Sequence, residues 1–150
     1  MTASQIAPIH LNRRVRASRA AAWAAITSPE MVAQWFANVS SLGEVGDPYR
    51  IEFEDGSAVA GHLLAINPGR RFVHGWAWEG DETRAATRVT WAVEPMSTGG
   101  SRIVLEHDGW ADAGLGERDR DEHAGYWEGY LDDLRELLDP GLPEPPDEVH

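Results

Sequence analysis

Hydrophobic residues recur at helical spacing along one long stretch of the chain, residues 119–138. Within it, apolar positions repeat at intervals of three and four, while acidic and basic residues take the other side. The apolar positions are Tyr126, Trp127, Tyr130, Leu131, Leu134, Leu137 and Leu138. The pattern predicts one amphipathic helix whose apolar stripe must pack against another element.

Before that helix, hydrophobic and polar residues mostly alternate, which predicts strands. The alternating segments are residues 8–16, 49–54, 57–66, 72–78, 89–93 and 103–107. Asp55-Gly56 lies between two of them and is a strong hairpin signal. Consecutive hairpins form an antiparallel sheet of about six or seven strands, and its face is the natural partner of the long helix.

Two short helices are predicted after the first strand. Ser18 is a suitable N-cap for a helix over residues 19–27. Ser28-Pro29-Glu30 begins a second helix, with a capping hydroxyl, proline at the first helical position and an acid in the first turn. Its apolar face is predicted to comprise Met31, Val32, Trp35 and Phe36. The fold class is therefore α+β.

Composition narrows the classes of function. The chain has 150 residues, 25 acidic and 13 basic, with a formal net charge of −12. Such a charge repels phosphate backbones and anionic lipids, so no nucleic-acid partner is expected. The absence of cysteine excludes disulfides, thiolate zinc sites and thiol nucleophiles. No apolar run has the length of a signal peptide or a membrane span, so we expect a cytoplasmic protein without membrane insertion.

The order of elements and several local motifs resemble the START-like SRPBCC superfamily, in particular its bacterial branch named for homology to the activator of the heat-shock-protein ATPase. The resemblance runs from about Ile9 to Leu138. Its carriers are residues 17–36 with Trp23, Pro29-Glu30 and Trp35; Gly61-His62-Leu63-Leu64 through Pro68 to Phe72 and Trp76; residues 102–110, ending His107-Asp108-Gly109-Trp110; and Gly129-Tyr130 with Leu134 and Leu137. The family usually has Trp where this chain has Tyr130.

The resemblance implies a helix-grip (START-like) fold, in which a curved antiparallel sheet wraps the C-terminal helix and leaves an elongated cavity. It implies one domain over residues 1–138. Residues 139–150 are rich in proline and acidic residues and are expected to form a disordered tail. The family shares no catalytic motif, so no catalytic residue carries over.

Aromatic residues are abundant, with seven Trp, three Tyr and three Phe. On inward strand faces and on the covering helix, such rings form either a rigid core or the wall of a cavity for a flat apolar ligand. The implied fold favours a cavity. The candidate ligand-binding residues are Trp35, Phe53, Phe72, His74, Trp76, Trp78, Trp91, His107, Tyr126, Trp127 and Tyr130.

Three histidines fall on three different predicted strands: His62, His74 and His107. A three-nitrogen metal site is one interpretation, but no two have ligand spacing on one element and no carboxylate is placed to orient them. We therefore expect no metal and no cofactor. His74 and His107 share the phase of their strands' apolar residues, which makes them the best candidates for an acid or base if a reaction occurs.

Gly125 and Gly129 interrupt the long helix one turn apart, each at a cost of roughly 1 kcal/mol relative to Ala. Either they leave room for a ligand beside Tyr126 and Trp127, or a surface helix tolerates them.

Three functions are consistent with these observations. The first is binding or sequestration of a small apolar, aromatic or lipid-like molecule by a monomer or homodimer. The second is an enzyme similar to polyketide aromatase/cyclases, with His74 or His107 moving a proton. The third is a protein-interaction role like that of chaperone activators, which the acidic surface disfavours.

Overall fold

The computed structural model describes residues 6–80, 86–97 and 99–145. The elements are, in chain order, β1 (Ile9–Val15), α1 (Arg19–Thr27), α2 (Pro29–Val32), β2 (Asn38–Val39), β3 (Pro48–Glu52), β4 (Ala58–Asn67), β5 (Arg71–Trp78), β6 (Thr87–Pro95), β7 (Ser101–Asp108) and α3 (Glu117–Leu138).

The strands form one antiparallel sheet in the order β1-β7-β6-β5-β4-β3-β2. From β2 to β7, each strand pairs with its neighbour in the chain, whereas β1 returns to pair with β7 at the far side. The sheet curls into a half-barrel around α3, and the two short helices follow β1. This confirms the predicted α+β helix-grip fold.

The core lies between the inner face of the sheet and one side of α3. Trp127, Leu131 and Leu134 are the buried residues of this helix, and their spacing of three and four places them on one face. The Trp127 ring lies 5.7 Å from that of Trp91 on β6, centroid to centroid. The apolar stripe read from the sequence is thus what attaches the helix to the sheet.

Two glycines permit a close approach between β4 and β5. A side-chain carbon on Gly61 would collide with the backbone of Gly75, so only glycine fits at this crossing. The pairing of β4 with β5 also shifts register between Leu63 and Ala65. A bulge of this kind increases local twist and bend, which helps the sheet to curl.

Two element boundaries differ from the prediction. Helix α2 ends at Val32 and continues as turns, so Trp35 and Phe36 lie beyond it. Trp35 is held instead by its indole N–H, which donates to the Ala25 carbonyl at 2.8 Å. The segment read as a loop before β3 also contains the short strand β2, which pairs with β3.

The start of the presumed tail makes specific contacts with β1. The Asp139 carboxylate accepts from the Arg16 amide at 2.8 Å, and the Glu144 carboxylate accepts from the Arg14 amide at 2.9 Å. Asp139 is buried. Residues 139–145 therefore lie along the edge strand, which is a departure from the expected disorder. Residues 146–150 fall outside the described part of the chain, and the domain boundary at residue 138 stays a prediction.

Candidate functional site

A cleft of about 550 Å³ opens between α3 and the sheet. One wall is the first half of α3, the opposite wall is β5, and the β3–β4 turn and Phe36 complete it. The lining residues are Phe36, Phe53, Glu54, Asp55, Ser57, Trp76, Trp78, Asp119, Glu122, His123, Tyr126, Trp127 and Tyr130.

The local structure explains why these side chains meet. On α3, positions 119, 122, 123, 126, 127 and 130 are separated by three or four residues, so they project from neighbouring faces of one helix. On β5, Trp76 and Trp78 share a face because strand side chains alternate. Asp55-Gly56 reverses the chain between β3 and β4, and Gly56 has a positive φ of 90° that suits glycine.

Aromatic rings surround the cleft in different orientations. The ring of Phe53 lies 5.5 Å from that of Trp78 with the planes tilted by 30°. The ring of Phe36 meets that of Tyr130 edge-on, at 4.8 Å and 80°. Behind them, Trp76 and Trp127 lie 5.2 Å apart. The cleft is therefore walled by several ring faces and edges that do not stack in one direction.

His123 contributes the imidazole of the cleft. Its Nδ1–H donates to the Asp119 carbonyl at 2.7 Å, since a carbonyl only accepts. Its Nε2 accepts from the Trp78 indole N–H at 3.0 Å. Burial lowers the pKa of His123, against the opposing effects of the Asp119 carbonyl and the Asp119 and Glu122 charges. The neutral His123 ring therefore makes a hydrogen bond at each of its two nitrogens.

His107 belongs to a closed hydrogen-bond network beneath the cleft. Its Nδ1 accepts from the Trp127 indole at 3.0 Å. Its Nε2 lies 2.7 Å from Thr87 Oγ1, and that hydroxyl donates to the Trp76 carbonyl at 3.1 Å. The hydroxyl proton is thus committed, so Nε2–H is the donor to Thr87. Burial holds the pKa of His107 well below its usual range, and a positive charge on His123 or His74 would lower it further.

His74 is also buried and neutral. Its Nδ1–H donates to the Gly75 carbonyl at 2.9 Å, and its ring lies 4.7 Å from that of Tyr49. Burial lowers the pKa of His74 to about 4, although the Gly75 carbonyl acts in the opposite direction. Burial also raises the pKa of the Tyr49 hydroxyl. Neither His74 nor His107 lines the cleft, so neither is placed to exchange a proton with a molecule bound there.

Six of the predicted site residues line the cleft: Phe53, Trp76, Trp78, Tyr126, Trp127 and Tyr130. The other five are placed in the packed core and not at the cleft: Trp35, Phe72, His74, Trp91 and His107. The inward phase of a strand does not distinguish these two environments. The rings of Phe72 and Trp91, for example, stack on each other at 6.5 Å. Contact between the six residues and a ligand stays a prediction.

Sequence reasoning missed the polar part of the cleft. Glu122 and His123 lie one turn before Tyr126 and Trp127, and Asp119 lies two turns before them, so helical spacing alone places all three on the same side. Glu54 and Asp55 adjoin the hairpin turn that the Asp-Gly signal located. Both signals were present in the sequence.

Gly125 and Gly129 do not shape the cleft. Both are exposed, and a side-chain carbon built at either meets no atom within 4 Å. Neither is among the lining residues. This favours the interpretation that the helix tolerates them.

His62 is exposed on β4, away from the buried His74 and His107. Among residues 6–80, 86–97 and 99–145, no group of three or more His, Cys, Asp or Glu side chains is arranged to hold a metal ion. Within the same ranges, no helix is both long enough and apolar enough to cross a membrane.

The sequence also matches a known protein family. Residues 16–139 match the family model described as Activator of Hsp90 ATPase homolog 1-like protein. The chain belongs to this family. The match spans α1 through α3 and reaches Asp139, and it agrees with the START-like resemblance found in the sequence. No curated protein matches the chain significantly.

Three solved structures with the same fold each cover more than nine-tenths of this chain. DynU16, a protein of the dynemicin biosynthetic locus, superposes with a TM-score of 0.80 at 21% identity, over 97% of this chain and 52% of DynU16. MLL2253 of Mesorhizobium loti gives 0.78 at 20% identity, over 91% and 100% of the two chains. The Aha1 dimer of Colwellia psychrerythraea gives 0.74 at 18% identity, over 92% and 100%. The chain thus spans about half the length of DynU16, and identities this low show the fold alone.

Proposed function

We propose that the protein binds a small, largely apolar molecule in the cleft between α3 and the sheet. The observation that carries this proposal is an aromatic-walled cleft of about 550 Å³, open at one side. That volume falls within the range of roughly 300–1,000 Å³ typical of small-molecule sites. Aromatic walls provide a large contact area with little conformational entropy to lose, so a flat apolar ligand is favoured.

Polar groups at the cleft add orientation to this apolar contact. The lining residues supply three hydroxyls, those of Ser57, Tyr126 and Tyr130. They also supply the carboxylates of Glu54, Asp55, Asp119 and Glu122. Tyr126 is 61% exposed although it is a large aromatic residue of an otherwise polar helix surface. Exposure of one ring beside a cleft has a small free-energy cost in the free protein, and the ring becomes covered when a ligand binds.

A second candidate is an enzyme resembling the polyketide aromatase/cyclases, and His123 is the observation in its favour. Among the described lining residues, His123 is the one histidine. In addition, DynU16, which has the same fold, comes from a biosynthetic locus. To act as a base, His123 must first release the Trp78 indole from Nε2. His74 and His107 are buried and do not line the cleft, which makes His123 the better candidate.

Binding is tested with N-phenyl-1-naphthylamine, a neutral aromatic probe whose fluorescence rises in apolar sites. We expect saturable binding, and the substitution Tyr126→Ala should weaken the affinity about fivefold by removing one ring from the wall. Leu64→Ala is the matched control, because Leu64 is an exposed hydrophobic residue of β4 outside the cleft. Equal binding by both variants, or no saturable binding by the native protein, contradicts the proposal.

Native mass spectrometry of the purified protein separates the two candidates. A copurified molecule that is released unchanged supports binding, whereas conversion of that molecule, lost in His123→Gln, supports an enzyme. We expect release without conversion.

A further inference from the structure

The charge of the cleft goes beyond what an apolar ligand requires. Four carboxylates belong to its lining: Glu54, Asp55, Asp119 and Glu122. No arginine occurs among the described lining residues, although the chain contains 13 arginines. A neutral ligand gains nothing from this charge, and an anionic ligand is repelled by it.

Local structure explains two of these carboxylates but not the other two. Asp119 accepts from the Gly116 amide at the start of α3, which is a capping role. Asp55 accepts from the Ser57 amide in the hairpin turn. No hydrogen bond or ion pair within the described residues involves Glu54 or Glu122. These two glutamates face the cleft without a structural role that accounts for them.

Several arginines of the structure are paired with other acids outside the cleft. Arg13 contacts Glu128 and Asp132, at 2.7 and 2.9 Å. Arg50 contacts Glu79 and Arg88 contacts Asp108, at 2.8 and 3.0 Å. These pairs neutralise acids elsewhere, whereas the carboxylates around the cleft leave its lining negative.

The negative charge reaches the aromatic wall. Burial raises the pKa of the Tyr130 hydroxyl, and the charges of Asp55, Asp133 and Glu54 act in the same direction. The Ser57 hydrogen bonds hold the pKa of Asp55 below its usual range, so Asp55 is ionised at neutral pH. Ring faces also carry negative electrostatic potential, which attracts cations placed over them.

Resting on the proposed binding function, we propose that the ligand is an organic cation, with a protonated or quaternary amine on an apolar body. The amine lies among the rings of Phe53, Trp78 and Tyr130, close to Glu54 and Glu122, and the apolar body extends along Trp76 and Trp127. The Phe53 ring is inclined by 30° to the Trp78 ring and by 30° to the Tyr130 ring, and the faces of such rings attract an ammonium group placed over them. The ammonium group loses contact with water between the apolar walls, and its attraction to the carboxylates offsets this desolvation cost.

The test compares two probes of the same shape, phenyltrimethylammonium and tert-butylbenzene, which differ by a charged nitrogen in place of carbon. Indole N–H signals of the cleft tryptophans in NMR titrations report binding of each. We expect phenyltrimethylammonium to bind about tenfold more tightly. Its affinity should fall as salt is raised, while that of tert-butylbenzene should not.

Paired variants test the role of the glutamates. Glu54→Gln together with Glu122→Gln should weaken binding of phenyltrimethylammonium about tenfold and leave tert-butylbenzene binding unchanged. Glu94→Gln together with Glu106→Gln changes the net charge equally, at strand positions outside the cleft, and should have little effect on either probe.

The outcomes distinguish this inference from the proposed function. Equal affinity for the two probes, or equal loss in the two double variants, overturns the cationic ligand while the binding function stands. If neither probe binds, the binding function is wrong and the inference fails with it.

Discussion

At the residue scale, the exposed glycines of α3 and the half-buried Gly61 of β4 illustrate two reasons for a glycine. Gly125 and Gly129 have open space around them, so helix propensity alone decides the effect of a substitution. We expect Gly125→Ala and Gly129→Ala each to stabilise the protein by roughly 0.5–1 kcal/mol. Thermal or urea unfolding measures this change.

Gly61→Ala is the control for that prediction. Its side chain would collide with the Gly75 backbone, and backbone cannot move aside cheaply, so the variant should be less stable. Destabilisation by Gly125→Ala or Gly129→Ala, with weaker binding of N-phenyl-1-naphthylamine, would show that these positions do shape the cleft.

The histidines show that burial and function are separate matters at this scale. His107 has each ring nitrogen engaged, by Trp127 and by Thr87, only while it is neutral. A proton added to Nδ1 would face the indole N–H and lose that hydrogen bond. This network therefore orients Trp127, whose ring forms part of the cleft wall, and has no free site for proton transfer.

At the element scale, the segment after α3 protects an edge of the sheet. Strand β1 is the last strand on its side, so amides of β1 and of the residue that follows it point away from β7. Glu144 and Asp139 accept from two of these, those of Arg14 and Arg16. Covered edges are less prone to pair with another chain.

Removal of residues 140–150 should therefore destabilise the protein by about 1–2 kcal/mol, because the Arg14 amide loses its acceptor. Thermal unfolding measures the loss, and light scattering reports association through the freed edge. Removal of residues 146–150 alone is the control, since it keeps Asp139 and Glu144. Identical stability of the two truncated proteins and the full chain would restore the view of the segment as a dispensable tail.

At the scale of the whole molecule, the buried histidines couple stability to pH. The unfolded chain binds a proton at each histidine near its ordinary pKa of about 6.5. In the folded protein the pKa of His74 is lowered to about 4, and those of His107 and His123 are lowered as well. Between these values the unfolded state binds more protons, so stability rises with pH.

We expect the free energy of unfolding to fall as pH is lowered from about 6.5 to about 4, with His74 contributing about 3 kcal/mol over that range. Urea unfolding at several pH values should show a smaller slope for His74→Gln than for the native protein. His62→Gln, at an exposed position, is the control. An unchanged slope in His74→Gln would mean that His74 is not kept neutral by burial.

Local pattern in the sequence determined the fold and many of its elements. Period-two alternation, the Ser18 cap, the Asp55-Gly56 turn and the three-to-four spacing of α3 are properties of neighbouring residues, and each led to an element that the structure contains. The antiparallel sheet and its partner helix followed, because each apolar face had one available surface to cover it.

Tertiary structure alone decided which inward-facing aromatic residues form the core and which border the cleft. Phe72 and Trp76 have the same phase on β5, yet only Trp76 borders the cleft. The phase of a strand determines on which face of the sheet a side chain lies, whereas the distance of that side chain from α3 depends on how the sheet curls. Local spacing located Glu54 and Glu122 separately, but only the packing of the hairpin against the helix makes them line one cleft. Alternation and spacing are local, but a cleft is made by elements that are far apart along the chain.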